Sequence, residues 1–249
     1  MKKIKITKKE IYPLNLKEEI YPFIKEGHIR GGGLVKDLVL GINDGLVSVV
    51  SLVSGVSGAA VGNQTVVLAG VAGAVAGALS MAFGTYIAHK SQIEFYKEEF
   101  KREKKEIREL PDVEKEEIRI IYKAKGFKGK QLENAVKTIT SDKDVWLRVM
   151  MLEELGLAEE KFIDYKFASI AIGTAFIVAS AIPIIPYVIL PAQSATYASV
   201  GITSLALFAV GAFKTKFTHK TWWKSGMEMV LIGAAAATIT YLIGALFQV

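Results

Sequence analysis

The sequence predicts an all-α membrane protein, with five transmembrane helices and a three-helix, strongly charged module between the second and the third. Three observations carry this. Five apolar runs are each long enough to cross a bilayer, which takes about 20 residues: Leu38–Val61, Thr65–Ala88, Phe167–Leu190, Ala195–Phe213 and Trp223–Phe247. All thirty-one Lys and Arg fall in three stretches, nine in 1–36, eighteen in 90–166 and four in 214–224, which five spans place on one side. No segment has the strict alternation of a half-buried strand.

Residues 1–33 form a charged N-terminal segment without the apolar core of a signal peptide. A short interfacial helix is expected at Leu16–Lys25, and the triplet Gly31-Gly32-Gly33 is expected to break it before the first span. Spans one and two occupy 34–89 as a hairpin, in which Gly70, Gly73, Gly77 and Gly84 allow close helix packing. Span two continues without a break signal into a charged helix that Pro111 ends. Together with helices over Asp112–Lys125 and about Lys130–Leu155, it makes up the module, 90–160, with Gly126 and Gly156 as C-caps. Residues 161–249 hold the remaining spans, with a hairpin turned by Pro183, Pro186 and Pro191 and an aromatic belt at Trp222 and Trp223.

Composition narrows the chemistry. The chain has no cysteine, and His28, His89 and His219 lack zinc-ligand spacing. The net charge of +6 does not point to nucleic acid, because the basic residues follow the positive-inside rule. That rule sets the N-terminus and module in the cytoplasm and the C-terminus on the opposite side. Attraction to anionic lipid is a second consequence. No phosphate loop, dinucleotide motif or nucleophile–base pair is present, so neither an enzyme nor an ATP-driven pump is expected.

Within span one, Asp44 is the sole charge between Leu38 and Val61. A carboxylate there costs roughly 2.5–3.5 kcal/mol on insertion scales, so such acids face a bundle interior and serve an ion or proton path. A structural acid paired with a neighbouring helix is the alternative. Asn43 and Gly45 flank it and suggest a narrow polar site. Asp44 lies about 10 Å inside the boundary at Asp37, and Met81 about 12 Å inside the boundary at His89, at 1.5 Å per residue. The two side chains are therefore expected at one level. A carboxylate opposite a thioether suits a divalent transition metal better than Na⁺, K⁺ or Ca²⁺, although a buried Met is often simply core. Asp37, one heptad before Asp44, marks an entrance or pairs with Lys36. Glu228, just inside span five, belongs to the path or holds Lys224 or a lipid headgroup.

In the module, Glu99, Glu103 and Glu106 share one helix face, Glu114 and Glu117 a second, and Met150, Met151 and Glu154 a third. Glu-rich runs mixed with Lys are commonly solvated faces. Carboxylates converging with thioethers would instead bind Fe²⁺, Mn²⁺, Co²⁺ or Zn²⁺ in preference to Mg²⁺.

The stretches KDLVLGINDGLVSVVSLVSGVSGA, AGALSMAFGTYIAHKSQ and WWKSGMEMVLIGAAAATITYLIG resemble the vacuolar iron transporter family, from about residue 31 to the end. The resemblance implies a dimeric, five-helix Fe²⁺/H⁺ antiporter with a cytoplasmic metal-binding domain, moving Fe²⁺ into a vacuole or across a cell membrane. It implies Asp44 and Met81 as pathway residues, and Glu103, Glu106, Glu114, Glu117, Met150, Met151 and Glu154 as the metal-binding set. The chain departs from the family where many relatives carry glutamate, at Gly73 and Thr85. That leaves Asp44 more alone in the pathway and makes Glu228 a candidate substitute for proton coupling. An Mn²⁺ transporter of the same mechanism and a membrane-anchored metal sensor or buffer are the competing readings.

Overall fold

A computed structural model describes residues 32–157, 164–218 and 220–247. The expected helix at Leu16–Lys25 lies outside the described residues. Eight helices are present among those described: α1 (Gly32–Gly58), α2 (Asn63–Glu109), α3 (Pro111–Ala124), α4 (Gly129–Thr140), α5 (Lys143–Glu153), α6 (Tyr165–Ile189), α7 (Ala192–Thr218) and α8 (Trp222–Ala245). Helices α1, α2, α6, α7 and α8 are long and apolar enough to cross a membrane, so the chain is a multi-pass membrane protein. The triplet Gly31-Gly32-Gly33, expected to precede the first span, lies partly within it, since α1 begins at Gly32.

Helix α1 has the others around it. Its Leu46 packs with Ala179 of α6, Leu207 of α7 and Met229 of α8. Its Val49 and Val53 join Val66, Ala74 and Ala78 of α2 and Phe176 of α6. Lipid supplies no hydrophobic drive for helices to associate, so close backbone approach at small residues does the work. A Cβ on Gly41 would lie 2.8 Å from the Ile172 carbonyl oxygen, and one on Gly45 2.5 Å from that of Phe176. Further along α1, Gly55 and Gly58 meet the α8 backbone at Gly244 and Tyr241.

The hairpin turns are tied to each other at the end of the bundle remote from the charged module. Asn63 Nδ2 donates to the carbonyl oxygens of Tyr187 (3.0 Å) and Leu190 (2.8 Å), satisfying acceptors that a helix end leaves open. Here the expected turn is corrected. Pro183 and Pro186 lie inside α6, and of the three prolines only Pro191 falls at the turn. Hydroxyls nearby bond to carbonyls of α6: Ser199 Oγ donates to that of Pro183 at 2.7 Å and Ser180 Oγ to that of Phe176 at 2.8 Å.

Helix α2 has 47 residues, about 70 Å at 1.5 Å each, more than twice the roughly 30 Å hydrocarbon core. Its second half therefore leaves the membrane as one continuous rod and becomes the first wall of the module. The single helix expected over Lys130–Leu155 is instead two, α4 and α5, so the module has four helical segments rather than three. Asp142 makes the break: its carboxylate accepts from the Asp144 (2.8 Å) and Val145 (3.0 Å) N–H groups as an N-cap. The break lets both helices fold onto one core of Ile107, Ile118, Leu132, Val136, Trp146, Leu147, Met150 and Met151. Gly126 and Gly156 end helices at φ values of +99° and +64°, as left-handed C-caps.

The packing predicts unequal glycine tolerance. A Cβ on Gly211 would stand 2.6 Å from the Ser225 carbonyl oxygen of α8, whereas one on Gly84 meets nothing within 4 Å. Gly211→Ala is expected to destabilise the purified protein by about 1–3 kcal/mol and Gly84→Ala to leave its melting temperature nearly unchanged, as read by thermal unfolding in detergent.

Candidate functional site

Two polar sites are built on α2, one in its membrane half and one beyond it. The first is a cavity of about 230 Å³ between α1, α2 and α6, lined by Asp44, Ser48, Leu52, Gly73, Gly77, Ser80, Met81 and Phe176 among others. Asp44 and Met81 thus face one space, at the common level that their distances from the helix ends imply. Asp44 is the single ionisable group in this lining, and Ser48 Oγ, one turn on, donates to it at 3.0 Å. Gly73 and Gly77 keep the α2 wall thin. A side chain at Gly77 would collide with the Phe176 ring, and one at Gly73 with the end of Leu52.

The other membrane candidates fall elsewhere. Asn43 is half-buried and outside the cavity lining. Glu228 is exposed on α8, also outside it. Asp37 lies at the membrane end of α1, where its Oδ2 is 3.2 Å from His89 Nε2 on α2. It pairs with that imidazole rather than with Lys36.

The second site is a carboxylate cluster in the module. Glu103 of α2, Glu114 of α3 and Glu154, the C-cap of α5, each bring an oxygen within 4.8 Å of the others. The sequence explains how. Glu103 sits one turn before Ile107, and Glu114 one turn before Ile118. These isoleucines anchor the core and draw both carboxylates inward. Glu154 closes α5 three residues after Met151, and the Met150–Met151 pair is itself fully buried. Both methionines therefore belong to the apolar core beneath the cluster. Glu103 Oε1 and Glu114 Oε2 are buried and receive no hydrogen bond from another side chain or the backbone while both acids are ionised, a costly state that a shared proton or a cation would relieve.

The surrounding electrostatics agree. Burial, followed by hydrogen bonding and repulsion from Glu114, pushes Glu103 up to about 8. Glu114 is raised mainly by burial, with Glu117 and Glu106 adding to it and the hydrogen bond from Glu103 opposing it. Glu154 is raised by burial and then by Glu117, Glu114 and Glu106. Glu106 and Glu117 thus act on the cluster through their charge. Glu106 also accepts from Arg102 Nε at 3.2 Å, and Glu99 stands 3.7 Å from the same guanidinium. Sequence reasoning missed the Asp37–His89 contact, for which the signal was His89 falling eight residues beyond Met81. It also missed Ser48 and Phe176, which carry no chemical signature of their own.

A five-span helical bundle with a carboxylate–thioether cavity, joined by one helix to an acidic cluster, defines a multi-pass membrane protein equipped for cations. The VIT family model matches residues 35–245. "Vacuolar iron transporter 1" of Eucalyptus grandis is 35% identical over 218 residues, 87% of this chain and 88% of the relative. The protein of the same name from Arabidopsis thaliana is 34% identical over 245 residues, 98% of this chain and 97% of that one. "Vacuolar iron transporter" of Plasmodium berghei is 34% identical over 234 residues, 90% and 85% respectively. The chain belongs to the VIT family.

The cluster predicts an inverted pH dependence of stability. Glu103 holds its proton in the folded protein up to about 8, against an ordinary value of 4.5. The native state binds more protons between those values, so stability falls as pH rises across that window. The melting temperature of metal-free protein is expected to drop from pH 5 to pH 8, and Glu103→Gln to flatten that slope. A slope unchanged by the substitution would remove Glu103 as its source.

Proposed function

We propose that the chain is a secondary transporter that moves Fe²⁺ out of the cytoplasm in exchange for protons, into a vacuole-like organelle or across the plasma membrane. The observation that carries this is the pairing of Asp44 and Met81 across one cavity inside the bilayer. A carboxylate and a thioether together favour a divalent transition metal over the hard alkali and alkaline-earth cations. The names of the curated relatives point to iron, and the placement of the basic residues points to a cytoplasmic module.

Each part has a task. Glu103, Glu114 and Glu154 capture the ion, and the negative field of Glu106 and Glu117 raises the local cation concentration. Because two of these carboxyls are buried and hold protons more tightly than usual, binding metal there releases protons. Asp44 and Met81 take over within the membrane, with Ser48 and Ser80 offering further oxygens along the same wall. One α1–α2 hairpin supplies too few ligands to replace a hydration shell, so two subunits line one pathway as a homodimer. Asp44 also carries the coupled proton, since Glu228 stands outside the cavity. Mn²⁺ is the nearest competing cargo by donor chemistry.

Fe²⁺ flux into proteoliposomes under an imposed pH gradient tests this. Wild-type protein should show gradient-dependent flux, Asp44→Ala should lower it at least a hundredfold, and Met81→Ala should shift preference from Fe²⁺ toward Mn²⁺. Absence of wild-type flux for both metals, in vesicles containing folded dimer, would leave a sensor or buffer instead.

A further inference from the structure

We propose that His89 and Asp37 form an entrance site for the metal, a nitrogen–oxygen pair one level nearer the module than Asp44 and Met81. This inference rests on the transport reading above. The two residues come from different helices, α1 and α2, and are the same two helices that carry the cavity pair. Asp37 precedes Asp44 by seven residues and His89 follows Met81 by eight, about 10 and 12 Å along their helices at 1.5 Å per residue. The α1–α2 seam therefore presents donors at two successive levels, nitrogen and oxygen first, sulfur and oxygen deeper.

The geometry suits a shared ion. His89 Nε2 and Asp37 Oδ2 are 3.2 Å apart. Two ligands each about 2.1 Å from one metal stand about 3.0 Å apart at an octahedral right angle and about 3.4 Å apart at the tetrahedral angle of zinc, and the observed separation lies between the two. The side chains are 26% and 14% exposed respectively, so water-borne metal reaches them while the protein shields them from bulk. No ammonium or guanidinium among the described residues pairs with Asp37. Lys90, next to His89, is engaged 3.8 Å from Glu94 and lies over the Tyr86 ring. Imidazole with carboxylate also selects transition metals over Mg²⁺ and Ca²⁺, so the entrance would screen the cation before it reaches Asp44.

A plain interhelical hydrogen bond would place the same two atoms together, and the test separates the two. The full chain is labelled with ¹⁵N-histidine and titrated with Zn²⁺ alone. The histidine signal that His89→Gln deletes should shift on binding, and Asp37→Asn should weaken its apparent Zn²⁺ affinity about tenfold. No response of that signal, or unchanged affinity in Asp37→Asn, overturns the proposal. In flux assays His89→Gln, whose amide N–H still donates to Asp37, should raise the apparent KM for Fe²⁺ several-fold. A wild-type KM would mean that the contact only joins helices, and overturns it. The Zn²⁺ response should persist in Asp44→Ala, so failure of transport and failure of this site are read apart.

Discussion

The backbone of α1 lies directly against α6 through Gly41 and Gly45 and against α8 through Gly55 and Gly58. Everything that concerns the membrane site depends on that approach. Inside a bilayer, lipid is as apolar as the side chains, so helices associate through close van der Waals fit rather than exclusion from water. Asp44 stands beside Gly45, where the α1 backbone lies against the Phe176 carbonyl of α6. Its position is set by backbone contact, which does not relax as a long side chain would. Larger residues at these glycines would lever α1 away and open the cavity wall that Phe176 closes.

The second organising element is the length of α2. One uninterrupted helix carries Gly73, Gly77 and Met81 beside Asp44, His89 at the membrane end, and Glu103 in the acidic cluster. A rod with intact backbone hydrogen bonds fixes the spacing between these levels. From Met81 to Glu103 is 22 residues, about 33 Å at 1.5 Å each. In the proposed transport cycle, a cation captured at the cluster and one held beside Asp44 would occupy stations on a single scaffold, and a tilt of α2 would move both.

The cluster itself is held against its own electrostatics. Burying Glu103 and Glu114 together is unfavourable when both are charged, and Glu106 and Glu117 add to the repulsion. The core beneath them holds them in place: Ile107, Ile118, Met150 and Met151 are buried within one or two turns of the acids. The apolar packing of α3 and α5 on α2 thus supplies the free energy that keeps the carboxylates converged, and a proton or a cation relieves them.

The five spans, the module between spans two and three, and the acids Asp44, Glu103 and Glu114 were legible in the sequence. Apolar length, an isolated charge in an apolar run and Pro or Gly punctuation are local signals, read from a few neighbours at a time. The level match of Asp44 and Met81 was legible too, because helical rise converts residue counts into depth. Tertiary structure decided the rest. Asp142 is a local N-cap signal inside Lys130–Leu155, but the apolar pattern continues across it, and it is the folding of α4 and α5 onto one core that shows the break. Pro183 and Pro186 read as a turn, yet α6 runs through them, because Ile184 and Tyr187 beside them are buried in a core shared with α1, α2 and α7. Glu154 joins Glu103 and Glu114, and His89 meets Asp37, through contacts between residues 40 to 52 positions apart. Local pattern fixes which residues can ionise, ligate or break a helix; only the packing of distant helices brings them within one coordination distance.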